Sequence, residues 1–127
     1  MQPTKNTSKL PTRSEHDEQV AVFNWIRLNE SRFPGLSLAF AIPNGGKRNK
    51  ATAGRLKAEG VMAGVPDILI PVARNESHGL FVEMKVRGRH PTPLQLNCMA
   101  GLAEQGYLCA ICYSVDQFSE IIKDYYS

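Results

Sequence analysis

Two apolar runs, "DILIPV" (67–72) and "LFVEMKV" (80–86), flank the polar stretch "ARNESHG". Runs of this length, joined by a short polar turn, predict neighbouring strands that pair as a hairpin. Each run carries charge where an inner strand of a small domain would avoid it. Asp67 opens the first, and Glu83 and Lys85 interrupt the second. Strand alternation puts Leu80, Val82, Met84 and Val86 on one face and Phe81, Glu83 and Lys85 on the other. A suitable register brings the Asp67 carboxylate beside Glu83. Pro66 restrains the backbone immediately before it.

The rest of the chain supplies the layers around this hairpin. "SEHDEQVAVFNWIRLNES" places Gln19, Phe23, Ile26 and Glu30 at helical spacing, with Val22 and Trp25 widening the apolar stripe. Ser14 is its expected N-cap, with acids in the first turn. "LSLAFAI" reads as a strand over 38–42, and "NKATAGRLKAEG" as a short helix stopped by Gly60. Thr92 or Pro93 opens the helix "TPLQLNCMAGLAEQG", which Gly106 closes. "YLCAICY" reads as a buried strand, and "SVDQFSEIIKDYY" as a last helix capped by Ser114. The order is α-β-α-β-β-α-β-α. The third and fourth strands, joined through a helix, are expected to be parallel. The fold class is therefore α/β, a four-stranded mixed sheet flanked by helices, in one domain over 14–127. Residues 1–13, rich in Pro, Thr, Ser and Lys, read as a flexible tail.

A 127-residue chain with 43% apolar residues can bury a core. It has no apolar run of membrane-spanning length and no secretory h-region, so a cytoplasmic protein is expected. The cysteine count is odd, at three, which argues against a disulfide framework. Cys109 and Cys112 form a C-x-x-C, but positions three apart on a strand face opposite sides. They read as structural thiols. The three histidines show no ligand pairing and read as surface residues.

Net charge is only +3, but it is unevenly placed. Lys47, Arg48, Lys50, Arg55 and Lys57 form a basic segment without an acid, and Arg87 and Arg89 follow Lys85. Basic segments flanking the carboxylates suit a polyanion such as nucleic acid. "PNGGKR" lacks the spacing of a nucleotide-binding loop. Asn44, Gly45 and Gly46 instead allow close approach to a DNA backbone, with Lys47 and Arg48 supplying charge. The bland alternative is a solvated basic surface.

Two carboxylates held close repel, and burial raises the cost. A hard divalent cation, Mg²⁺ or Mn²⁺, relieves that repulsion through oxygen ligands. It can also activate water and offset phosphate charge. With Lys85 two residues from Glu83, the set can hydrolyse a phosphodiester. Either P-D or E-x-K alone is a weak motif: the first is a common turn dipeptide, the second a common ion pair.

The arrangement P-D, hairpin, E-x-K resembles the PD-(D/E)xK nuclease superfamily. The pieces "SEHDEQVAVFNWI", "IPNGGKR", "AGRLKAEGVMAGVPDILI", "FVEMK" and "TPLQLNCMAGLAEQGY" are similar, in order, to its VRR-NUC (virus-type replication-repair nuclease) branch, of the stand-alone phage-like type. The resemblance implies a PD-(D/E)xK (restriction-endonuclease-like) core and a Mg²⁺- or Mn²⁺-dependent endonuclease. It further implies action on branched DNA such as a Holliday junction, as a homodimer. Carried over by position, Asp67 and Glu83 are metal ligands, with the Met84 backbone carbonyl a third, and Lys85 is the catalytic lysine. Glu15 matches the first-helix acid, a further metal candidate, although Glu18 competes for that place. Gln19 lies one helical turn on, and Gln95 matches a polar residue on the helix after the lysine strand. A contrasting reading of the same chain is a DNA-binding module whose nuclease site is vestigial.

Overall fold

The computed structural model describes residues 14–43 and 50–127. The tail expected at 1–13, and the DNA contacts expected at Asn44, Gly45, Gly46, Lys47 and Arg48, lie outside the described residues. Lys50 is described by its backbone alone.

Among the described residues, four α-helices and four strands follow the expected order. They are α1 (Glu15–Asn29), β1 (Phe40–Ala41), α2 (Lys50–Ala58), β2 (Ile68–Ile70), β3 (Leu80–Met84), α3 (Pro93–Glu104), β4 (Leu108–Cys112) and α4 (Val115–Tyr126). The sheet runs β1-β2-β3-β4, antiparallel up to β3 and parallel between β3 and β4. Among the described residues, no helix is long and apolar enough to cross a membrane.

The sheet's two faces differ. On one, Ile68, Ile70, Leu80, Val82, Met84 and Cys112 are sealed against Val22 and Ile26 of α1 and Phe118, Ile122 and Tyr125 of α4. The i, i+4 spacing of Val22 and Ile26 puts both on one stripe of α1. Phe118, Ile122 and Tyr125 repeat that pattern on α4. Trp25 packs edge-on to Phe118, tying the two helices together. The other face carries Phe81, Glu83 and Lys85, as alternation requires, and is roofed by α3. Cys109 Sγ donates to the Met99 carbonyl of that helix at 3.7 Å.

Several expected elements are shorter than the sequence suggests. The strand expected over 38–42 keeps only Phe40 and Ala41, because Leu36–Leu38 forms a 3-10 turn after left-handed Gly35. β2 starts after Asp67, not at it, and β3 stops at Met84, not Val86. "YLCAICY" is not a buried strand: β4 is a sheet edge, and Leu108 is 46% exposed. Of the three cysteines only Cys112 is buried, while Cys98 and Cys109 are half-buried. Cys109 pairs with Phe81 and Cys112 with Met84, so the C-x-x-C does face both ways. Burial pushes the Cys109 thiol up and the Cys112 thiol to about 11. Neither is a thiolate at neutral pH.

Candidate active site

The ladder that pairs Ile68 with Val82 would set Asp67 opposite Glu83. The chain bends there instead. The Asp67 amide donates to the Val82 carbonyl at 3.0 Å, and its carboxylate Oδ2 accepts the Met84 amide at 2.7 Å. A side chain thus takes the place of a ladder partner, which fixes the carboxylate at the end of β3. In a strand, the amide and carbonyl of one residue point to the same side. The Met84 carbonyl is therefore directed toward Asp67, as a third oxygen should be.

Glu83 is 2% exposed and Lys85 8%, so both charges are withdrawn from water. Lys85 Nζ lies 3.7 Å from Glu83 Oε2. The Lys85 amide donates to the Cys112 carbonyl at 2.9 Å, so β4 holds the residue one step beyond β3. Gln95 Nε2 donates to the same Glu83 oxygen at 3.1 Å. Glu83 Oε1 is buried and takes no hydrogen bond from an N–H group, while the Glu83 and Asp67 carboxyls lie close enough to share a proton in a side-chain hydrogen bond.

Gln95 is itself fixed by the start of α3. Its Oε1 accepts the Thr92 amide at 2.9 Å, and Thr92 Oγ1 accepts the Gln95 amide at 3.2 Å. This reciprocal capping box satisfies two donors that a helix start would otherwise strand. Thr92 is expected from the sequence only as a candidate helix start, although "TPLQ" is the T-x-x-Q signature of a box that also fixes Gln95. Gln95→Ala is expected to cost about 1 kcal/mol of stability, from the lost cap. It should also lower cleavage by about 10-fold or more by freeing the Glu83 carboxylate. Denaturant titration and single-turnover cleavage would measure the two effects separately.

Burial, followed by the Asp67 charge, pushes the Glu83 carboxyl up to about 8. Burial also pushes Asp67 up, aided by the Glu15 charge and opposed by the Met84 amide. The two acids therefore hold protons beyond the ordinary carboxylate range. A cation would displace those protons. The paired Asp67 and Glu83 carboxyls and the directed Met84 carbonyl form an all-oxygen set that fits a hard divalent ion.

The peripheral candidates are distributed unevenly. The Glu15 charge acts on both Asp67 and Glu83, so α1 delivers its first turn to this end of the sheet. Among the described residues, however, no three His, Cys, Asp or Glu side chains gather as a metal cluster. The site offers two carboxylates, with Glu15 outside their immediate group. Glu18 is half-buried on the same helix. Gln19 lines a surface cleft with His16, Val20, Phe23 and Arg27, and it makes no hydrogen bond to Asp67, Glu83 or Lys85. Arg87 and Arg89 are exposed on the loop after Lys85, where Tyr113 Oη donates to the Arg89 carbonyl at 3.1 Å. Arg55 and Lys57 are exposed on the last turn of α2.

The VRR-NUC domain family model matches residues 9–116 of this chain. A solved structure of a VRR_NUC domain protein superposes with a TM-score of 0.76 at 29% identity, covering 91% of this chain and 90% of that one. No curated protein matches the chain.

Proposed function

This chain belongs to the VRR-NUC family of PD-(D/E)xK-type nucleases, and on that premise we propose that it is a metal-dependent DNA endonuclease selective for branched DNA, working as a homodimer. The observation that carries the reading is the pair of carboxyls, buried Glu83 and half-buried Asp67, close enough to share a hydrogen bond and both with a raised pKa. Two carboxyls withdrawn from water and held side by side are costly to ionise unless a cation completes them.

Asp67, Glu83 and the Met84 carbonyl would hold Mg²⁺ or Mn²⁺, with Glu15 at the margin. A cation held there supplies positive charge against the scissile phosphate and lowers the pKa of water. Lys85 Nζ brings a second positive charge to the same face and can donate hydrogen bonds to a phosphate oxygen or to the attacking water. Gln95 aims Glu83, and the roof of α3 limits water around it. Arg87, Arg89, Arg55 and Lys57, with Lys50 and the segment 44–48, would track the DNA backbone. The nuclease unit is taken as 14–127.

The test is cleavage of a labelled four-way junction beside duplex and single strand, with Mg²⁺, Mn²⁺ or EDTA. Paired incisions in the junction that require the metal are expected. Equal cutting of all three substrates would remove the selectivity. Binding without any cleavage would favour a DNA-binding module with a vestigial site.

A further inference from the structure

The outer edge of β4 accounts poorly for its own backbone. The Leu108 amide donates to Gly79, and the Cys112 carbonyl accepts from Lys85. In a parallel ladder this alternation turns the backbone groups of Leu108, Ala110 and Cys112 toward β3. Those of Cys109 and Ile111 then point outward, away from the sheet. Strands at an edge are usually blunted by brevity, charge, proline or a bulge. At the opposite edge, β1 has only two residues. β4 has five, and from Tyr107 to Tyr113 there is no charge, no proline and no glycine. A groove lined by Leu108, Ala110, Ile121 and Tyr125 runs beside it.

We infer that this edge pairs antiparallel with the same edge of a second copy, about a twofold axis at Ala110. This inference rests on the homodimer in the proposed function and names its surface. With Ala110 on the axis, Cys109 of each copy faces Ile111 of the other. Both pairs exchange amide and carbonyl, which satisfies all the outward groups in four hydrogen bonds. Ala110 is small enough to sit against its own image, and the exposed Leu108 gains cover beside the partner's Cys112.

The axis is perpendicular to the joined sheet, so it leaves both sets of Asp67, Glu83 and Lys85 on one side of eight continuous strands. A DNA with its own twofold axis would meet both sites at once.

Two observations test this on the full chain. Residues facing each other at a non-hydrogen-bonded antiparallel position lie about 4.5 Å apart at Cα, within disulfide range. Ala110→Cys should therefore form a covalent dimer on mild oxidation with diamide, and the wild type, with its native thiols, should not. Light scattering should give twice the 14.1 kDa chain mass for the wild type. Leu108→Lys should halve it, as should Ile111→Pro, which removes an amide that β3 does not use. Circular dichroism must show both variants folded, and Leu108→Lys, at an exposed position, stands alone should Ile111→Pro unfold. A wild-type dimer that survives Leu108→Lys, or Ala110→Cys that fails to cross-link, would overturn this surface while leaving the homodimer intact. A monomeric wild type would overturn both. Mn²⁺ binding by the same samples reports separately on the nuclease site.

Discussion

Lys85→Met and Lys85→Ala are expected to lower cleavage by about 10³-fold, whereas DNA affinity should change no more than a few-fold. Methionine keeps the buried stem that Lys85 packs at 8% exposure and removes only the charged end. Its failure would thus report on charge and not on a cavity. Lys85 also draws the Glu83 pKa down, so its loss raises that pKa further and weakens metal binding near neutral pH. Raising pH and Mn²⁺ concentration separates the two effects. A lysine that acts on the phosphate or the water leaves the variant inactive even at saturating metal. Full recovery there would reduce Lys85 to a tuner of Glu83. Fluorescence anisotropy without divalent metal measures the DNA affinity.

Glu83→Gln should abolish cleavage and yet stabilise the metal-free protein in base. The folded Glu83 pKa, raised to about 8 from an ordinary 4.5, fixes the sign. A raised pKa means the folded state binds the extra proton. Its contribution is present below pH 4.5 and is lost as pH rises through about 8. Metal-free wild type should therefore lose on the order of 2 kcal/mol between pH 5 and pH 9, a figure discounted because Asp67 shares the charge. Glutamine carries no charge to bury and still accepts from Gln95. Its denaturation midpoint should stay nearly flat over that range. Mn²⁺ at pH 8 should restore the wild type and leave the variant unmoved. A wild-type midpoint independent of pH and of Mn²⁺ would disprove the strained pair.

Alternation alone made the chemistry on β3 readable. One residue in two of "LFVEMKV" had to meet α1 and α4, so Glu83 and Lys85 had to share the other side. The parallel pairing of β3 with β4 followed equally from the helix between them. Asp67 was harder to read. Its apolar neighbours suggest a strand residue, but its side chain has replaced a backbone partner, and no pattern of hydropathy encodes that substitution. Gln19 illustrates the opposite limit. Helical periodicity puts it on the same side as Glu15, yet Gln19 lines a cleft with His16, Val20, Phe23 and Arg27, while the Glu15 charge reaches Asp67 and Glu83. Hydropathy also misjudged "YLCAICY", because an apolar run looks the same at the edge of a sheet as at its centre.

Gln95 has one amide and two duties. Its oxygen closes the first turn of α3, and its nitrogen steers Glu83. Fraying of that turn and swinging of the carboxylate are consequently a single motion. The lifetime of the Gln95 amide proton against solvent exchange then becomes a clock for the active site. Whatever shortens that lifetime, such as warming, a mild denaturant or a weaker cap at Thr92, should misalign the acid in proportion, long before the domain itself melts.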